Sequence, residues 1–471
     1  MPGAQAKLDA PGDRSKTAFY ENPLNMNQPP NSPLNRRAFI KTSSGAVVAA
    51  SALASAVSFP SVTLGQSSGD KLKIGWIGCG GRGSGAMVQA LQADSNVELF
   101  ATGDAFKENM DKSLKGVMTY MKSKPEKFNV PPERQFVGID AYQKVIDSGV
   151  DVVILTSPPG FRPAHIEAAV KAGKHIFTEK PMAVDGTGLR SVMASAELAK
   201  QKKLAMVDGF VWRWTYANRE AYKRIHEGQI GDVLAVYSTY NSAGTDRYPN
   251  VTRENTPNEV EYQMRRWHYY WWISGDGIVE QAIHSIDKML WTMKDVAPVK
   301  AMAHGGRQVR TDAKFGNVFD HFAVEYRWED GTPGYHYSRQ IDRCWNSVAD
   351  RVFGTKGVYD GESAGRIHTI RGENRWRWRA DDDGKNKNDG YQTEHDEMYA
   401  SIRAGNPINT SDRFIKATAM AIMGRMAAYS GKEVTWDQVI NSKEDSFPKN
   451  LTWDSKLPEV PVALPGITPL I

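Results

Sequence analysis

Through the first half of the chain, short apolar runs alternate with stretches of helical periodicity. That rhythm predicts strands and helices in turn. Residues 71–78 (KLKIGWIG) read as a strand, and residues 86–91 read as part of the helix that follows. A second strand pattern lies at 97–101 (VELFA). Residues 151–155 (DVVIL) are nearly all apolar, as expected of a strand buried on both faces of a parallel sheet. Residues 165–172 read as a helix, and 175–177 and 204–207 as further strands. Alternation of this kind predicts an α/β fold with a doubly wound parallel sheet. Beyond residue 208 the rhythm changes. Residues 233–240, 299–304, 319–328, 334–340 and 351–353 read as strands, Glu329-Asp330-Gly331 as a hairpin turn, and 418–429 as a late helix. After Asn441 the chain is rich in Pro and Lys and reads as an extended tail.

A chain of 471 residues suits two or three domains. The pattern divides it into an N-terminal extension (1–67), a nucleotide-binding domain (68–208), a second α/β domain (209–440) and a tail (441–471). Apolar residues make up 41% and charged residues 24%, as in a soluble globular protein. The net charge is +5, of which +3 falls in the first 67 residues, so the body lacks the basic footprint of a nucleic-acid binder. Two cysteines, Cys79 and Cys344, are too few for a disulfide scaffold or a cysteine-based zinc site. The 13 Trp, 18 Tyr and 16 Phe supply flat faces for a large core or for stacking on sugar rings.

Arg36-Arg37 precedes an apolar stretch at 46–57 that ends in small residues. Charged region, short apolar region and small-residue cleavage site form a signal peptide, and the arginine pair makes it twin-arginine (Tat) type. That stretch is too short to span a bilayer. The expected destination is periplasmic or otherwise extracytoplasmic, with the Tat machinery as a partner. Export of a folded protein predicts a retained cofactor rather than a diffusible one.

Gly78-Cys79-Gly80-Gly81-Arg82-Gly83 places G-x-G-x-x-G between a strand and a helix. Gly78 permits the tight turn, Gly80 lets the backbone approach a pyrophosphate, and Gly83 lets the helix pack on the strand. Asp104 follows the second strand, 21 residues past Gly83, and a carboxylate there favours NAD over NADP. Lys107 nearby softens that preference and keeps NADP open. Cys79 reads as a small buried filler. Ser157, Pro158, Glu179 and Lys180 end later strands and should border the nucleotide.

The glycine loop, the strand end Glu179-Lys180-Pro181 and the segment Gly275-Asp276-Gly277-Ile278-Val279-Glu280-Gln281-Ala282-Ile283-His284-Ser285-Ile286-Asp287 occur in that order. Together they resemble the glucose–fructose oxidoreductase / inositol dehydrogenase / rhizopine-catabolism (Gfo/Idh/MocA) family over residues 71–440. The resemblance implies a Rossmann NAD(P)-binding domain and a C-terminal α/β domain with an open, mostly antiparallel sheet. The back of that sheet would form a dimer or tetramer. It implies that Lys180 faces the reacting carbon and its oxygen, and that His284 is the acid/base group.

An ammonium at Lys180 stabilises a forming alkoxide, and an imidazole at His284 suits proton transfer near neutral pH. Glu280, His284 and Asp287 are spaced to share one helix face, so an acid could orient the imidazole or touch substrate. Glu280 stands where the family more often has Asp, which leaves both roles open for it. No second histidine supports a metal there. Arg213 and Tyr269, each within an aromatic–basic cluster, are candidate substrate contacts. His165 is a candidate on the nucleotide side or a helix-start residue.

The expected activity is NAD(P)-dependent oxidoreduction of a sugar, sugar derivative or cyclitol. The alternative is glycoside hydrolysis or lysis through transient oxidation at C3 with no net redox. The presence of both Lys180 and His284 argues against a non-catalytic binder.

Overall fold

The computed structural model describes residues 69–362, 364–380 and 388–471; the arginine pair and the apolar stretch behind it lie outside the described residues. The first sheet is built from β1 (Leu72–Ile77), β2 (Val97–Asp104), β3 (Gln135–Val137), β4 (Val152–Leu155), β5 (His175–Thr178) and β6 (Met206–Asp208). Its order is β3-β2-β1-β4-β5-β6 and every pairing is parallel. All four residues of β4 are buried, since helices cover both faces of such a sheet. Burying each of its aliphatic side chains contributes about 1.5–3 kcal/mol.

The second sheet has nine strands: β7 (Val233–Ser242), β8 (Lys300–Gly306), β9 (His321–Arg327), β10 (Pro333–Gln340), β11 (Ser347–Gly354), β12 (Gly357–Glu362), β13 (Ile367–Gly372), β14 (Trp376–Arg379) and β15 (Val434–Thr435). Their order is β14-β13-β12-β11-β7-β10-β9-β8-β15, antiparallel except for the β10–β7 pair. In β9 the side chains alternate strictly: Phe322, Val324 and Tyr326 point into the core. The opposite face leaves Met302, Tyr337 and Phe353 exposed. The buried face is covered by the helices Ile283–Thr292 and Ser411–Ser430. The helix Ser411–Ser430 also packs on Gly186–Gln201 of the first domain, so one continuous core spans both sheets. From Asn441 onward no helix or strand forms, yet Phe447, Leu451, Trp453 and Leu457 pack against Phe161, Trp272 and their neighbours.

Two sequence expectations are corrected here. Arg213 was expected at substrate and Asp287 beside His284. Instead, Arg213 donates from Nε to Asp287 Oδ2 at 2.8 Å and from Nη2 to Asp287 Oδ1 at 2.7 Å. A further bond reaches Asp295 Oδ1 at 2.7 Å. Both side chains of the Arg213–Asp287 pair are 2% exposed. Such a pair forms because neither charge tolerates burial alone, and here it ties the turn Val211–Trp214 to the helix Ile283–Thr292.

Asp287→Ala should therefore cost about 3–5 kcal/mol of stability, read as a lower urea midpoint. Unchanged stability with a raised KM would return the pair to the substrate site.

Candidate active site

The ends of β1, β2, β4 and β5 border a cleft of about 630 Å³. This is the edge of a doubly wound sheet where ligands bind. Gly78 has φ +94, and a Cβ there would lie 2.4 Å from the Ser157 backbone nitrogen. A Cβ on Gly83 would lie 2.2 Å from the Gly78 carbonyl oxygen. Gly80 and Gly81, by contrast, meet nothing within 4 Å. The loop is thus packed tightly against the protein and open toward the cleft. Both border the start of the helix Gly81–Ala93, which favours anions. These residues fit a dinucleotide pyrophosphate.

Asp104 lines the cleft, and its carboxylate accepts from the Cys79 N–H at 2.6 Å and the Phe106 N–H at 2.8 Å. It therefore fixes the glycine loop, with lone pairs left for a ribose diol. Cys79 is buried, and burial raises its thiol well above the usual range, as suits an inert filler. Arg82 lines the cleft too, but its charge is already committed. Nε donates to Glu179 at 2.5 Å and Nη2 to Glu394 at 3.0 Å. It clamps the loop to the β5 end and to the helix Gly390–Arg403.

Ser157 and Pro158 line the cleft at the β4 end. His165 lines the cleft with them, with Nδ1 3.2 Å from Ser157 Oγ and its ring stacked 4.2 Å from Tyr142. Burial, then the nearby Arg162, pushes its imidazole down to about 3. Arg162 donates to the carbonyls of Ser157 (2.7 Å) and Pro181, joining the β4 and β5 turns.

At the β5 end, Lys180 precedes a cis peptide to Pro181. Its Nζ donates to the Glu280 backbone carbonyl and lies 3.3 Å from Glu280 Oε1. Burial opposes charge on Glu280, but Lys180, His268 and Arg247 hold its carboxyl at about 2. The short helix carrying Glu280 starts at Asp276, which adopts φ 72 and ψ 166. That conformation costs about 1–3 kcal/mol in a non-glycine residue. Bonds from Phe319 N–H (2.7 Å) and Tyr429 O–H (2.6 Å) to its carboxylate offset the cost.

Glu280, His284 and Asp287 do not share one continuous helix, as their spacing had predicted. The helix Gly277–Glu280 ends at Gln281, and a second helix begins at Ile283. The break leaves Glu280 on Lys180, turns Asp287 to Arg213 and sets His284 between Phe210 and Trp212, 6.1 and 5.2 Å between ring centres. No described residue hydrogen-bonds the His284 ring. Burial, then the Lys180 cation, lowers its imidazole well below the usual range.

Tyr269 is a second correction among the substrate candidates: it is fully buried, and its hydroxyl accepts from Arg247 N–H at 2.6 Å and donates to the Thr245 carbonyl at 3.2 Å. Its neighbour His268 reaches the cleft instead, together with Tyr248. The aromatic–basic run containing His268 was visible in the sequence, but a single turn at Trp267–Tyr269 decides which ring faces the cleft. Glu394 gave no local signal. Among the described residues, no group of three or more His, Cys, Asp or Glu is placed to hold a metal.

Residues 72–209 match the oxidoreductase family with an NAD-binding Rossmann fold, and residues 218–360 match the GFO/IDH/MocA C-terminal domain. The chain is 27% identical over 224 residues to an inositol 2-dehydrogenase of Acidiphilium cryptum, covering 48% of this chain and 55% of that protein. It is 25% identical over 260 residues to a glycosyl hydrolase family 109 protein of Shewanella pealeana, covering 52% of each. The chain thus spans about half the length of the curated relatives it matches. A levoglucosan dehydrogenase solved with NADH and levoglucosan superposes with a TM-score of 0.60 at 18% identity, covering 77% of this chain and 99% of that one. With a Rossmann domain, a Lys180 strand end and a nine-stranded mixed sheet in the matched order, the chain belongs to the Gfo/Idh/MocA family of NAD-binding oxidoreductases.

Proposed function

We propose that the protein moves hydride between a retained NAD and a hydroxyl-bearing carbon of a sugar or cyclitol. The observation that carries this reading is the meeting of Lys180 with Glu280 at the cleft, near enough to His284 for the ammonium to lower an imidazole that no described residue hydrogen-bonds. Bound NAD would supply the hydride acceptor. Neutral His284 takes the hydroxyl proton, and the Lys180 ammonium stabilises the developing alkoxide. Glu280 holds that ammonium in place through its carbonyl and its carboxylate. Asp104 offers its carboxylate to the free ribose diol of NAD, which favours NAD over a 2′-phosphate.

Retention is supported by a strap, residues 248–268, whose Tyr248, Val251, Met264, Arg265, Trp267 and His268 line the cleft with the Rossmann strand ends. Arg265 donates to Glu108 at 2.5 Å and lies 4.0 Å over the Phe106 ring, which in turn meets Trp453 of the tail at 5.7 Å. Folded export through the Tat route, from the arginine pair and apolar stretch, agrees with a nucleotide loaded before export. The exposed Met302, Tyr337 and Phe353 on the outer sheet face support a dimer or tetramer formed there.

The similarity to a glycosyl hydrolase family 109 protein supports a second reading, redox-neutral glycoside cleavage through a transient ketone. Lys180 and His284 would serve equally there. Free sugar released from a glycoside with no accumulation of NADH selects this reading; a stable ketone with stoichiometric NADH selects the first.

Lys180→Ala or His284→Ala should lower kcat by about 10²-fold or more while nucleotide still binds. Unchanged turnover in both would sink the assignment. Because burial and Lys180 keep His284 neutral, kcat/KM should show no acid limb near pH 6.5; a limb there would contradict a neutral imidazole base. Glu108→Gln should speed the release of bound NADH about several-fold, seen as faster loss of nicotinamide fluorescence on chasing with NAD; an unchanged rate would remove the strap from cofactor retention.

A further inference from the structure

Two polar groups in the cleft face one another without touching. Glu280 Oε2 is buried and has no hydrogen-bond partner among the described residues. His268 Nε2 lies 3.8 Å from it, beyond hydrogen-bond reach. The two side chains are 12% and 15% exposed, and both line the cleft with Lys180. A buried carboxylate oxygen without a partner costs free energy, so Glu280 Oε2 takes its hydrogen bond from water or from a ligand in the cleft.

The tautomer of His268 defines what that occupant must be. The hydroxyl of Tyr248 hydrogen-bonds to His268 Nδ1. Burial raises the phenol far above its usual range and lowers the imidazole to about 3, so the phenol is protonated and the ring neutral. Among the described residues Nδ1 is the one acceptor that the Tyr248 hydroxyl meets, so Tyr248 donates, Nδ1 accepts, and the ring proton sits on Nε2. The gap then presents one N–H donor and one carboxylate acceptor. A carbonyl would satisfy only the donor. An ammonium would satisfy only the acceptor and would be repelled by Lys180. A carboxylate would be repelled by Glu280. Water accepts one bond and donates another, and an alcohol hydroxyl is the substrate group that can take its place with both bonds kept.

The pair is rigidly held. Arg266 is 1% exposed and donates to the carbonyls of Tyr248, Val251 (3.0 Å) and Lys314 (3.1 Å). It ties the backbone of Tyr248 to the turn that carries His268. The Trp267 ring packs 3.7 Å from the imidazole centre.

We propose that His268 and Glu280 form a second hydroxyl subsite, in which His268 Nε2–H donates to, and Glu280 Oε2 accepts from, one substrate hydroxyl next to the one that Lys180 and His284 handle. The substrate is then a vicinal diol, and His268 is a specificity-determining residue held by Tyr248. This rests on the oxidoreductase reading above, since Lys180 bonded to the same Glu280 is what puts the two hydroxyls side by side.

The test uses the full chain loaded with NAD and a panel of myo-inositol, scyllo-inositol, glucose and levoglucosan. For each compound oxidised, the analogue lacking the hydroxyl vicinal to the oxidised carbon is compared by kcat/KM. Wild type should prefer the diol. His268→Leu should lower kcat/KM on the diol by about 10²-fold and on the deoxy analogue by much less, so the preference collapses. His268→Gln, which keeps a donor near Nε2, should recover part of it, and Tyr248→Phe should weaken it by unlocking the tautomer. Equal losses on diol and analogue would mean a merely structural His268 and overturn the subsite, as would an unchanged preference. If wild type binds NAD but oxidises no compound on the panel, the oxidoreductase reading falls and takes the subsite with it.

Discussion

The site depends on one contact between the two domains: Lys180, at the end of a Rossmann strand, set against Glu280, at the end of a four-residue helix in the second domain. A lysine at a strand end is ordinarily a mobile, solvated cation. Here a backbone carbonyl and a carboxylate take two of its three donors and leave one for a substrate oxygen. The surroundings exist to hold the two ends still. Arg162 staples the β4 and β5 turns, Arg82 clamps Glu179, and Asp276 accepts a strained backbone to start the helix that ends in Glu280.

Around that contact, burial sets the protonation states. Three imidazoles, at His165, His268 and His284, are neutral because taking an imidazolium out of water is costly and Lys180 or an arginine stands nearby. Glu280 goes the other way, since cations surround it. The result is one fixed cation, one fixed anion and neutral rings able to accept or donate a hydrogen bond. That division of roles suits moving a proton and a hydride separately.

Local features were legible in the sequence and tertiary ones were not. The glycine loop, Asp104 and Lys180 were readable because a strand, a turn and a helix start are specified by neighbouring residues. The Glu280–His284–Asp287 spacing misled because the break at Gln281 resets the helix phase. Arg213 looked like a substrate arginine until its partners, Asp287 and Asp295, came from 74 and 82 residues away. Strands β12 and β13 went unread because positions such as Asp360, Gly361, Thr369 and Arg371 break the apolar alternation, and β14, although it alternates Trp and Arg, is only four residues long. His268 and Tyr248 were hidden for the same reason as Arg213: their meaning lies in the gap they form with Glu280, a residue of another element.

A cleft lined by the glycine loop, Asp104 and residues 248–268 should hold NAD and release it slowly. The most direct measurement is to purify the full chain without added nucleotide, denature it and identify what is released by mass spectrometry. The expected result is NAD(H) at about one per chain, the stoichiometry of a single Rossmann site. Protein that carries no nucleotide and fails to bind added NAD would contradict it.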